Sequence, residues 1–144
     1  MYGVICMSGI HDAASKFFHA CETGTGWDGC RPYCHANASF SAQADVLSEI
    51  ETVEAYAEWM KNMMTPIPDG NYELKFLAAD EERNCVAAVA VFHGTQTGPG
   101  GPGSPTGKTV SADYAYAMYF DGDKVSHVTK IWNDTISLRQ LGWA

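Results

Sequence analysis

Apolar residues recur at helical spacing in the first half of the chain and at strand spacing in the second. Residues 11 to 22, HDAASKFFHACE, place Ala13, Ala14, Phe17, Phe18 and Cys21 at intervals of three and four, which puts them on one helix face. Thr23-Gly24-Thr25-Gly26 then stops that helix. A second short helix is predicted from Trp27 to Cys34 and a short strand from Ala38 to Gln43. Ser48-Glu49-Ile50-Glu51 has the form of a capping box and predicts the opening of a third helix. Val53, Tyr56, Ala57, Met60, Met63 and Met64 form its apolar stripe, acids crowd its first turns, Lys61 lies late, and Pro66 and Pro68 end it.

The period changes after Gly70. Tyr72, Leu74 and Phe76 alternate with Glu73 and Lys75, and Cys85 to Thr95 is a run of small and β-branched residues. Two further strands are predicted, Thr109 to Phe120 and Lys124 to Trp132, joined by Asp121-Gly122-Asp123, a hairpin signal. A short helix closes the chain, with Asp134 as its expected N-cap and Gly142 as its stop. There is no internal repeat and no dividing linker. The reading is one α+β domain over residues 1–144, helices first and sheet second.

The hairpin predicts which side chains share a face. A two-residue turn pairs even-numbered residues of the first strand with odd-numbered residues of the second. One face then carries Tyr114, Tyr116, Met118 and Phe120 beside Val125, His127, Thr129, Ile131 and Asn133. The other carries Asp113, Ala115, Ala117 and Tyr119 beside Ser126, Val128, Lys130 and Trp132. The first face has the make-up of a small-molecule pocket wall, apolar with a few convergent polar groups. A helix-covered core in which the Tyr hydroxyls and His find partners is the competing reading.

Composition narrows the function classes. Of 144 residues, 46% are hydrophobic and 18% charged, enough apolar material for a packed core. The formal net charge is -8 and no Lys or Arg cluster occurs, which argues against nucleic acid and anionic membranes as partners. The opening MYGVICMSGI has no positive n-region and no long apolar stretch, so the expectation is a soluble, cytoplasmic protein. Five cysteines, Cys6, Cys21, Cys30, Cys34 and Cys85, lack framework spacing and read as reduced thiols.

Three local patterns invite chemistry. Gly107-Lys108-Thr109 suggests a phosphate-binding loop, but Pro102 stands where that loop needs its first Gly and a strand follows instead of a helix. The Gly/Pro-rich segment 97–108 is instead expected to be a loop joining two antiparallel strands. Cys30, Cys34 and His35, with His19 and Cys21 upstream, are zinc-ligand types without a second clearly spaced pair, and buried apolar cysteines are the better reading. His93 and His127 lie in strands with Asp113 and Asp134 as the nearest acids of the sheet half, which would suit proton transfer or simple hydrogen bonding.

Read together, Phe92-His93-Gly94-Thr95-Gln96-Thr97-Gly98, Pro105-Thr106-Gly107-Lys108, Asp121-Gly122-Asp123-Lys124-Val125 and Arg139-Gln140-Leu141-Gly142 resemble the polyketide-cyclase-like (SnoaL-like) branch of the nuclear transport factor 2-like superfamily. Trp27-Asp28-Gly29, Ala38-Ser39-Phe40 and Tyr56-Ala57-Glu58-Trp59 extend the resemblance to nearly the whole chain. It implies a cone of three N-terminal helices on a strongly curved, mostly antiparallel sheet with a short C-terminal helix, a cavity between the layers, and usually a dimer. Enzymes of the branch generally need no metal or organic cofactor and use a pocket acid or base with hydrogen-bond donors on an enolate. The sequence departs from that pattern at Gln96, where the family often has His, and at His127, where it often has Glu. Asn133 occupies the place of the strand-end acid, and Asp134 follows it.

The resulting expectation is a cofactor-independent pocket protein of isomerase or cyclase type, acting by acid–base chemistry on a small apolar carbonyl compound. Asp134 and His127 are its candidate proton carriers, and Tyr114, Tyr116, Met118, Phe120, Asn133 and Trp59 its candidate ligand contacts. The alternative is a non-catalytic ligand-binding or dimerisation module. A homodimer is expected through Ala115, Ala117, Tyr119, Val128 and Trp132, and neither a metal nor a disulfide is expected.

Overall fold

The computed structural model describes residues 9–144; Cys6 and nearly all of the opening segment read above lie outside the described residues. Helix α1 spans Ile10–Glu22 and α2 Gly26–Cys30, followed by strand β1, Cys34–Ala42. Helix α3, Val53–Met63, leads into β2, Asn71–Asp80, β3, Cys85–Thr95, β4, Thr109–Asp121, and β5, Lys124–Trp132; α4, Asp134–Leu141, closes the chain. Four helices thus pack on one curved, unclosed sheet of order β1-β5-β4-β3-β2. Its neighbours are antiparallel except β1 and β5, which run parallel.

Two helix starts differ from expectation for local reasons. The capping box at Ser48 goes unused, because Asp45–Leu47 forms a single 3-10 turn and the chain extends again before α3. Thr52 is the N-cap, its hydroxyl accepting from the Ala55 amide at 3.1 Å. Asn133, not Asp134, caps α4, its Oδ1 accepting from the Ile136 amide, and Asp134 is the first helical residue. Gly142 stops α4 with φ 75°, left-handed geometry that glycine adopts without steric cost.

One inserted residue decides the sheet faces. The turn behaves as the sequence predicts, since Asp121 pairs with Lys124 and Phe120 with Val125. Tyr119, however, pairs with His127, leaving Ser126 as an extra residue in β5, its hydroxyl bonded to the Tyr119 carbonyl at 3.1 Å. From there onward even residues face even: Met118 opposite Val128, Tyr116 opposite Lys130, Tyr114 opposite Trp132. A similar shift in β2 separates Leu74, opposite Ala90, from Phe76, opposite Val89, so their expected common face does not form.

The helices cover the inner face, where Tyr114, Tyr116, Met118, Phe120, Val125 and Val128 bury against Phe17, Phe18 and Tyr56. Burial of each such aromatic side chain contributes about 1.5–3 kcal/mol. Ile67, Val110, Ala112 and Leu141 form a smaller cluster at the other end. The outer face carries Ala115, Ala117 and Tyr119 as expected, but Val128 is fully buried inside and Trp132 packs against the inner core, because the bulge moves both across the sheet. Ile131, 63% exposed, and Phe76, 54% exposed, lie outside in their stead. No helix among the described residues is long and apolar enough to cross a membrane.

Candidate functional site

Between α3, α4 and the inner sheet face lies a cavity of about 240 Å³. Its walls are largely apolar: Met60, Met63, Ile67, Phe92, Val110, Ala112, Leu138, Leu141 and Trp143 account for most of one side. Trp59 and Tyr114 also line it, joined by Trp132, Lys130 and Glu22. The polar groups of the lining are therefore a carboxyl, a phenol and an amine, with the Ser137 hydroxyl held by the Trp132 indole N–H at 2.9 Å, in an otherwise oily chamber.

Glu22 is the last residue of α1 and is 1% exposed. It stands four residues after Phe18, so helical spacing carries it onto the buried stripe. Two phenols meet it there, the Tyr114 hydroxyl donating to Oε1 and the Tyr116 hydroxyl to Oε2. Burial holds the Glu22 carboxyl above its ordinary value of 4.5, while the Lys130 charge and the two phenols pull it the other way.

Lys130 is 6% exposed on β5, placed inside by the Ser126 bulge. Its Nζ donates to the Tyr56 hydroxyl at 2.8 Å. It also stands 4.6 Å from the Trp132 ring centroid, 5.0 Å from Tyr56, 5.2 Å from Tyr114 and 5.6 Å from Trp59, an aromatic cage that favours a cation. Burial acts against that cation and lowers the Lys130 pKa below 10.5, with the Glu22 charge opposing the drop.

The two ionisable groups are linked through hydroxyls. Tyr56 and Tyr116 lie 3.0 Å apart, and since the Tyr116 proton goes to Glu22, the Tyr56 proton fills the contact between the phenols. An unbroken path thus runs from Lys130 through Tyr56 and Tyr116 to Glu22. Burial raises the pKa of Tyr56, Tyr114 and Tyr116, so all three keep their protons. Such a path can move a proton between amine and carboxyl without either group meeting water.

The predicted site residues divide between the faces. Tyr114 and Trp59 line the cavity, Tyr116 stands behind its wall with its hydroxyl on Glu22, and Met118 and Phe120 are core residues of the same face. His127 lies on the outer face, contrary to the parity reading, because Ser126 shifts it across the sheet. Its Nδ1 meets Ser39 Oγ at 2.7 Å and its Nε2 meets Ser41 Oγ at 3.1 Å and Thr129 Oγ1 at 3.0 Å. Asn133 is exposed and caps α4. Asp134 is buried beside the Val46 amide, which donates to its Oδ2 at 3.0 Å, and it does not line the cavity.

Glu22 and Lys130 were missed from sequence for different reasons. Glu22 carried a usable signal, an acid on the apolar stripe of α1, whereas Lys130 was hidden because turn parity alone places it outside. Gln96, where the family often has His, is fully buried and holds the Gly/Pro loop, its amide donating to the Gly98 carbonyl at 2.9 Å and accepting from the Thr106 amide at 2.6 Å. That loop reaches the cavity rim, since a Cβ on Gly101 would stand 3.0 Å from the indole nitrogen of Trp143. No group of three or more metal-ligand side chains gathers among the described residues. Burial pushes the Cys34 thiol up to about 12, in keeping with a packed apolar role.

Comparison with solved structures gives the same fold repeatedly. A proposed polyketide cyclase of Acidithiobacillus ferrooxidans matches with TM-score 0.76 at 20% identity, over 95% of this chain and 97% of that one. IdmH, a proposed polyketide cyclase of Streptomyces antibioticus, matches with TM-score 0.74 at 14% identity, over 91% and 96%. AclR, a proposed hydroxylase of Streptomyces galilaeus, matches with TM-score 0.73 at 20% identity, over 92% and 84%. A search of curated proteins finds no match. The family profile described as SnoaL-like polyketide cyclase covers residues 12–141, and with the curved sheet and covering helices it establishes that the chain belongs to that family.

Proposed function

We propose that the cavity takes a small, largely apolar carbonyl compound and performs isomerase- or cyclase-type acid–base chemistry on it without a cofactor. The observation that carries this reading is the pairing of a buried carboxyl with a buried amine, relayed by phenols, at one end of an apolar chamber. The apolar walls supply burial of the ligand, and the polar end fixes its oxygen. In this reading Tyr114 donates a hydrogen bond to the carbonyl oxygen, Glu22 exchanges the proton on the neighbouring carbon, and the Lys130 charge steadies the enolate. Glu22 takes the proton-carrying role expected of Asp134 or His127, with Lys130 supplying the charge beside it, since neither Asp134 nor His127 lines the cavity.

The test uses 4-phenylbutan-2-one in deuterated water, with exchange next to its carbonyl followed by NMR. Wild type should accelerate exchange over buffer, and Glu22→Gln and Tyr114→Phe should each lose about 10–100-fold of that gain. Binding without acceleration would give the alternative reading, a ligand-binding module of the same fold.

The same proposal includes a second copy of the chain on the outer sheet face, where Ile131, Phe76 and Tyr119 stand exposed beside Ala115 and Ala117. Apolar surface of that kind is rare on soluble monomers.

A further inference from the structure

We propose that Lys130 is a covalent catalyst, its amine condensing with the carbonyl carbon of the bound compound to form an iminium. This rests on the reading that the cavity takes a carbonyl compound, and it adds a nucleophile to a site so far described by proton transfer alone. The placement of Nζ is the first support. It stands at the cavity wall, and its hydrogen bond goes to a neutral phenol, Tyr56, at 2.8 Å. Among the described residues no carboxylate forms an ion pair with it. A lysine that simply neutralised an acid would sit against Glu22, whereas here two phenols intervene.

The relay supplies the second support, because an amine attacks only as the free base. The Lys130 ammonium passes a proton to Tyr56, Tyr56 passes its own to Tyr116, and Tyr116 delivers one to the Glu22 carboxylate. The products are a neutral amine and a neutral carboxylic acid. Burial favours both, since it lowers the lysine and raises the glutamate. This neutral pair is reached inside the protein, without release of a proton to solvent.

The step balances. The Nζ lone pair forms the C–N bond as the carbonyl π electrons move to oxygen, and proton transfer from nitrogen to that oxygen leaves a neutral carbinolamine. Glu22 then gives its proton, through Tyr114, to the hydroxyl, which leaves as water while the nitrogen lone pair closes the C=N bond. Ammonium plus carbonyl have become iminium plus water, and Glu22 is again a carboxylate. The four rings around Nζ favour the iminium as they favour the ammonium, so the cage holds the charge of the intermediate where it forms. The same carboxylate then stands ready to take the neighbouring C–H proton and convert the iminium to an enamine, the carbon nucleophile that isomerisation or ring closure requires.

The decisive experiment incubates wild-type protein with 4-phenylbutan-2-one and sodium cyanoborohydride at neutral pH, where hydride from the reagent converts an iminium to a stable secondary amine. Mass spectrometry with peptide mapping locates the adduct, and quenching of tryptophan fluorescence without the reductant measures binding. The chain has six lysines, and the other five, Lys16, Lys61, Lys75, Lys108 and Lys124, are exposed and act as internal controls. The expected result is one adduct, on Lys130, formed faster than on any exposed lysine and absent from Lys130→Arg. Binding without a Lys130 adduct overturns the covalent step and leaves the pocket reading intact. Absence of binding overturns both. Peptide mapping of the wild type decides the question even where Lys130→Arg fails to fold.

Discussion

Tyr116 and Lys130 face each other across the β4–β5 ladder, and the Tyr56 hydroxyl from α3 lies within hydrogen-bond distance of both. A helix thereby closes a polar circuit begun by two strands. Removing that one oxygen separates the amine from the carboxyl while changing the packed volume little. Tyr56→Phe is expected to destabilise by about 1–3 kcal/mol in urea denaturation, because the Lys130 amine and the Tyr116 hydroxyl each lose a buried partner. It should also slow reductive trapping at Lys130. Trapping at the wild-type rate would show that the amine loses its proton by another route.

The pH dependence of stability follows from Glu22. Its folded-state pKa lies above 4.5, so between 4.5 and that raised value the folded protein retains a proton that the unfolded chain has released. The contribution is fully present below 4.5 and is lost as pH rises through the folded-state value. Wild type is therefore expected to lose stability relative to Glu22→Gln as pH climbs from about 4 to 7, measured by urea midpoints at each pH. A constant difference across that range would mean that Glu22 titrates alike in both states.

His127 offers the contrasting case. It hydrogen-bonds Ser39, Ser41 and Thr129 on the face away from the cavity. His127→Ala is expected to cost about 0.5–1.5 kcal/mol of stability. Its Kd for 4-phenylbutan-2-one should stay within about twofold of wild type, since the two sites share no partner. A large loss of affinity would mean that the ligand binds the outer face.

Much of the fold was legible because local rules held. The α1 stripe of Phe17, Phe18 and Cys21, the Pro66 stop after α3, the Asp121-Gly122-Asp123 turn and the Gly142 stop all follow from spacing and turn chemistry. The site was less legible because it depends on Ser126. A bulge arises from competition between strand twist, hydrogen bonding and packing across two strands, and no feature of the segment Lys124-Val125-Ser126-His127 announces it. Strand identity survived, whereas side-chain direction reversed for His127, Val128, Lys130, Ile131 and Trp132. The α3 start shows the same limit on a smaller scale, as Ser48 has a better capping pattern than Thr52, yet Thr52 is where the chain meets the sheet edge opposite Ser39.

The corrected faces also move the dimer prediction. Ile131, more exposed than any other large apolar residue described, stands on the outer face where Trp132 was expected. If a second copy covers this face, Ile131→Glu should halve the sedimenting mass while leaving the circular dichroism of the chain unaltered. A dimer of unchanged mass would place the contact elsewhere.

The inserted Ser126 has a consequence for how such a pocket could change in descent. Point substitutions alter one wall group at a time. Drawing Ser126 into the ladder opposite Tyr119 would instead invert the rest of β5, presenting His127, Thr129 and Ile131 to the interior and sending Val128, Lys130 and Trp132 outward. Amine, indole and aliphatic wall would be exchanged together for imidazole, hydroxyl and a different aliphatic group. Two relatives with the same letters in this strand can then carry different chemistry according to whether the bulge forms, and an alignment that scores identity would not reveal it.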